Sequence, residues 1–117
     1  MTKDRKIYGI DISKSVFDVY SEETGHIQLC NDEKGFKNFL KTLPKTALVV
    51  MEATGYYHYR FAQFLYKKGV VVSVVNPLSV KRFIQMKLAK VKTDKSDAKS
   101  ICEYGRANDV PLYNALT

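Results

Sequence analysis

The chain has 117 residues, 45% of them hydrophobic, which suits a single domain built on one core. Lysine plus arginine number 19 against 12 acidic residues, a formal net charge of +7, and that balance favours a polyanionic partner, most simply DNA or RNA. No apolar run approaches the length of a membrane span and no basic-then-apolar leader opens the chain, so a membrane protein and a secreted one are both disfavoured.

Residues 6 to 12 predict a first strand, with Ile7, Tyr8, Gly9 and Ile10 as sheet interior and Asp11 near its end. Ser15 to Tyr20 alternates as a two-faced strand, Glu23-Thr24-Gly25 turns the chain, and His26 to Cys30 alternates again with Ile27 and Leu29 on one face. These three strands read as an antiparallel meander. Asn31 or Asp32 then caps a helix with Phe36, Phe39, Leu40 and Leu43 at helical spacing, ended by Pro44. Ala47 to Met51 is a short apolar strand, followed by a turn at Thr54-Gly55 and a helix through Tyr57, Phe61, Phe64, Leu65 and Lys68 that Gly69 stops. Val70 to Val75 is a second apolar strand. Two such strands separated by a helix predict parallel pairing, buried on both faces. Asn76-Pro77 opens a further helix carrying Val80, Phe83, Ile84 and Leu88 on one side; after a lysine-rich link, Thr93 caps a last helix running to about Arg106. The order β-β-β-α-β-α-β-α-α predicts an α/β domain with a mixed five-stranded sheet, spatial order 3-2-1-4-5, and helices on both faces.

This topology places Asp11, near the end of the first strand, next to Glu52, at the end of the fourth, at the edge where open α/β sheets carry their sites. The inward stripe of the last helix, Ala98, Ile101, Cys102 and Gly105, extends backwards by helical spacing to Asp97 and Asp94. Taken singly, each acid has an ordinary explanation: a turn cap, a strand-end charge, or dipole partners in a first helical turn. Taken together, four carboxylates converging on one sheet edge would repel one another, and a divalent cation removes that conflict. Cys30 and Cys102 fit no metal-ligand spacing and are expected to be reduced, buried thiols of a cytoplasmic protein; two histidines, His26 and His58, are too few for a histidine site. Any metal would therefore use oxygen ligands.

From Lys81 to Lys99 there are seven basic residues and only two acids, Asp94 and Asp97, a clustering that suits phosphate contact. The candidate nucleic-acid contacts are Lys14, Lys81, Arg82, Lys87, Lys90, Lys92 and Lys95, each of which alone is equally readable as solvated charge. Lys92, Lys95 and Lys99 are expected to point away from the carboxylates. Tyr57 is expected in the core, Tyr56 and Tyr59 are open to either reading, and His58 is expected to be an exposed helix residue.

The stretches "GIDISK" with Asp11, "VVMEATGYY" with Glu52, "VVNPLSVKRF", and "KVKTDKSDAKSI" with Asp94 and Asp97 resemble the DEDD-type insertion-sequence transposases. This group is insertion-sequence family one-hundred-and-ten, which includes the Piv-type DNA invertases. The resemblance runs from about residue 6 to residue 107. It implies a RuvC-like, RNase H-type fold over residues 1–108, with 109–117 a tail or the start of a linker. It also implies DNA cleavage and strand transfer dependent on Mg²⁺, with Mn²⁺ as a substitute, through Asp11, Glu52, Asp94 and Asp97. A structured guide RNA and a homo-oligomer are implied for the whole protein. Family members continue into a second domain with a catalytic serine, so the chain is expected to be a fragment whose isolated activity is open; Ser13, Ser79 and Ser96 match no part of that second motif. Two other readings compete. A sugar-kinase or actin-like nucleotide-binding domain shares the sheet order but needs a second glycine-rich phosphate loop, and the six glycines supply none. A non-catalytic basic module would bind nucleic acid steeply with salt and be indifferent to the carboxylates.

Overall fold

The computed structural model describes residues 5–53, 57–87, 97–108 and 110–112. Asp94, Lys90, Lys92 and Lys95, with Tyr56, Leu88, Thr93 and the Thr54-Gly55 turn, lie outside the described residues. The strands are β1 (Lys6–Ile12), β2 (Val16–Ser21), β3 (Gly25–Cys30), β4 (Ala47–Glu52) and β5 (Val71–Val75); the helices are α1 (Glu33–Thr42), α2 (Tyr59–Lys67), α3 (Pro77–Lys87) and α4 (Ala98–Ala107). The sheet runs β3-β2-β1-β4-β5. β1 pairs antiparallel with β2 and β2 with β3, while β1, β4 and β5 are parallel. This is the mixed order expected of the RNase H-like fold.

Strand alternation divides the core in two. Tyr8, Ile10, Ile12, Phe17, Val19, Val49 and Met51 face α1 and α2, where Phe36, Phe39, Phe61 and Leu65 meet them. Phe17 and Phe61 have ring centroids 4.4 Å apart, and Phe36 stacks on Phe61 at 4.7 Å. The opposite residues, Ile7, Leu48, Val50 and Val75, face α3 and α4 and pack on Val80, Ile84, Ile101 and Cys102. Val110 is buried in the same cluster. Each helix thus has a reason to lie where it does: its apolar stripe covers one side of a sheet that is apolar on both.

Glycine sets the depth of one of these contacts. A Cβ on Gly9 would run into the Ala98 carbonyl and the Cys102 amide, so α4 lies directly on the β1 backbone. The turn glycine Gly25 and the helix-stop Gly69 take positive φ, 70° and 82°.

Several expectations need correction. The last helix is capped by Asp97, not Thr93: Asp97 is extended, φ −121° and ψ 176°, and its side chain accepts from the Ser100 amide. β5 is not wholly apolar, because buried Ser73 lies within it, its hydroxyl without a hydrogen-bond partner among the described residues. Tyr57 is exposed rather than core, because it precedes α2 instead of joining its apolar stripe. His58 is half-buried at the N-cap of α2, and burial lowers its pKa. Cys30 is exposed at the sheet's open margin, whereas Cys102 is buried and desolvation pushes its thiol up to about 11; both are free thiols.

Candidate active site

The site lies where β1 and β4 end. Asp11 lies on the α3/α4 side of the sheet, opposite to Ile10, sharing its face with Ile7 and Gly9. The loop after it is held firmly. The Ser13 amide and hydroxyl both donate to the Val16 carbonyl at 2.9 Å, and Asn31 Nδ2 donates to the Ser13 carbonyl at 2.8 Å. A small polar network therefore fixes the backbone immediately beyond the carboxylate.

Glu52 closes β4 on the same face as Leu48 and Val50 and is only 9% exposed. Parallel pairing sets Ile10 opposite Met51, so one step further along the same register Asp11 comes beside Glu52. Neighbouring strands lie about 4.8 Å apart, which brings two carboxylates of one face together at a single corner. The Ala53 amide donates to the Val75 carbonyl at 3.0 Å, so the sheet remains paired past Glu52.

Asp97 arrives from the other direction. The inward stripe of α4 begins at Ala98, and Asp97 is not carried into the core by it; it is exposed and accepts from the Ser100 amide at 2.8 Å as the helix cap. It still reaches the site, because the Gly9 contact seats the first turn of α4 against β1. Asp11 and Asp97 line one cavity of about 370 Å³. Glu52 is not in its lining; register places it beside Asp11 on the β4 side, and Asp94 lies outside the described residues. Among the described residues no three histidine, cysteine, aspartate or glutamate side chains are grouped closely enough to hold a metal ion. The donor chemistry fits a hard cation, since the acids at this corner offer oxygen only.

Besides Ala98, four lining residues were not among the sequence candidates: Asp18, Tyr20, His26 and Lys99. Asp18 lies directly opposite Asp11 in the β1–β2 register. Like charges so placed are unfavourable. Asp18 is supported by His26, whose Nε2 lies 3.0 Å from its Oδ1, and by Gln28, whose side-chain amide donates to the same oxygen at 3.0 Å. The signal for Asp18 lay in the three-residue connection 13–15, which fixes the hairpin register. Lys99, expected to point away, lines the cavity.

The basic candidates divide by position. Lys14 is exposed on the loop directly after β1. Lys81 and Arg82 lie on α3, whose first turn starts at the same sheet edge, where Asn76 Oδ1 accepts from the Leu78 amide at 2.8 Å. Lys87 is the last residue of α3. No described helix is long and apolar enough to cross a membrane.

A family model described as "Transposase", that of the DEDD insertion-sequence group one-hundred-and-ten, matches residues 8–115. The chain is similar to the pilin gene-inverting protein of Moraxella bovis, 31% identical over 114 residues, and equally to that of Moraxella lacunata. The alignment covers 90% of this chain and 35% of each relative, so the chain spans about a third of the length of the curated relatives it matches.

Proposed function

The chain belongs to the DEDD transposase family, and from that premise we propose that it is the DNA-cleaving and strand-transferring domain of a recombinase, with Asp11, Glu52, Asp94 and Asp97 as its divalent-metal ligands. The observation that carries this reading is the shared cavity of Asp11 and Asp97, residues far apart in the chain, with Glu52 at the adjoining register. The names of the relatives, which invert a pilin gene, support DNA as the substrate.

The residues divide the work. Asp11 is held by the sheet on one side and the Ser13–Asn31 network on the other, which makes it the fixed ligand. Glu52, nearly enclosed, supplies a second carboxylate whose burial is costly unless charge is compensated. Asp97, at the start of α4, and Asp94 complete the set. Mg²⁺, or Mn²⁺ in its place, would stabilise the charge that develops on the attacking and leaving oxygens of phosphoryl transfer. Lys14, Lys81, Arg82 and Lys87, with Lys90, Lys92 and Lys95, contact DNA phosphates. In the same reading the longer protein acts in the cytoplasm as a homo-oligomer with a structured guide RNA.

A melting scan tests the assignment. Millimolar Mg²⁺ or Mn²⁺ is expected to raise the melting temperature of the wild-type chain and to leave Asp11→Ala unmoved. A binding site occupied at a hundred times its Kd stabilises by about 2.7 kcal/mol, several degrees for a domain of this size. A wild-type curve indifferent to both ions refutes the metal site.

A further inference from the structure

Lys99 lies in the first turn of α4 with its ammonium 6.0 Å from the centroid of the Tyr20 ring on β2. These two side chains border two hollows at once. One is the cavity of Asp11 and Asp97; the other, of about 380 Å³, continues along the outer flank of α4 towards Glu22 and Arg106. The pair therefore forms the sill between the carboxylate corner and a groove leading away from it.

The charge pattern around that sill is uneven. Arg106, the cation at the far end of the groove, is already matched by Glu22 at 2.9 Å, and Lys6, outside the groove, by Glu23 at 2.9 Å. Lys99 has no ion pair among the described residues. It faces a cavity bordered by Asp11, Asp18 and Asp97, where a phosphodiester would meet repulsion from three sides. On the β3 side His26 and Gln28 are exposed, so this half of the sheet is open to an incoming strand.

We propose that Lys99 and Tyr20 seat one nucleotide of the DNA strand beside the carboxylates, with the Lys99 ammonium on a phosphate flanking the reacting one and the Tyr20 ring against the sugar and base. This rests on the reading of the chain as a DNA-cleaving domain and adds to it a positioning site. An ammonium on a flexible stem suits a phosphate, and an aromatic face accepts any base without reading sequence. Both hollows have the size of a small-ligand site, at the lower end of roughly 300–1,000 Å³. In that seat Lys99 offsets the charge of the acids when the site is empty and that of the phosphate when it is filled.

The test is anisotropy binding of a short fluorescein-labelled single-stranded DNA in EDTA across a series of KCl concentrations. Lys99→Ala is expected to weaken binding several-fold and to flatten the dependence of log affinity on log salt by roughly 0.7, one phosphate contact on a single strand. Lys99→Arg restores both, and Lys37→Ala, on α1 across the sheet, changes neither. Tyr20→Phe binds like the wild type and Tyr20→Leu several-fold more weakly, each checked for an intact melting transition. An unchanged slope in a folded Lys99→Ala overturns the proposal, as does an equal loss in Lys37→Ala, which means diffuse attraction. Binding confined to a ribo-oligonucleotide of the same sequence overturns it too. Because divalent metal is absent, these outcomes are independent of the melting scan: a failed seat beside an intact Mg²⁺ response leaves the metal assignment standing.

Discussion

Asp97 holds the first turn of α4 through the Ser100 amide and also borders the cavity that Asp11 enters. The two roles are separable by chemistry. Asparagine caps a helix about as well as aspartate but offers a metal a neutral oxygen, so Asp97→Asn should retain the stability of the metal-free chain and lose the shift produced by Mg²⁺. Asp97→Ala should lose the shift and a further ~1 kcal/mol for the missing cap, read by chemical denaturation in EDTA. A full Mg²⁺ response in Asp97→Asn would reduce Asp97 to a cap. At this scale the sequence was partly legible. Asp11 and Glu52 stand out because a charge at the end of an apolar strand needs an explanation. Asp18, His26 and Lys99 do not, because their place depends on hairpin register and on the rotation of α4, which no local pattern reveals. Asp97 was found for an incomplete reason: helical spacing suggested an inward-facing acid, whereas the residue ends the helix and reaches the cavity as a cap.

At the scale of elements, α4 is the piece that assembles the site, and two glycines determine how closely it lies. At Gly9 the obstacle to a side chain is the α4 backbone itself, which cannot turn aside. At Gly105 it is the Val50 and Ile7 methyl groups, 2.7 and 3.1 Å from the would-be Cβ, which can rotate or shift. Gly9→Ala should therefore destabilise the chain at the upper end of the roughly 1–3 kcal/mol typical of overpacking, Gly105→Ala less. Because Gly9→Ala lifts Asp97 away from Asp11, it should also weaken the Mg²⁺ shift in whatever fraction remains folded. Denaturant midpoints for the two variants check the order; equal costs would mean that α4 is not pinned at Gly9. The strands were readable because alternation in β2 and β3 and unbroken apolar runs in β1 and β4 signal different burial. The start of α4 was not, because "TDKSD" contains Thr93, Asp94, Ser96 and Asp97, all good caps, and propensity alone does not choose among them.

For the molecule as a whole, the strand order followed from two physical facts visible in the chain: a meander made by short polar turns, and parallel strands apolar on both sides that demand helices on each face. That order is what carries Asp11 and Glu52 to one corner. The net charge of +7 favours a polyanionic partner but does not say where one would bind, since charge acts at a distance and the shape of the groove beside α4 is a tertiary property.

Diffraction from crystals soaked in millimolar Mn²⁺, recorded for anomalous scattering, addresses the shared ion pocket without relying on activity. A peak within coordination reach of both Asp11 and Asp97, with Glu52 adjoining, is the predicted result. Maps with no peak at that corner, or with manganese bound only elsewhere on the surface, would contradict it.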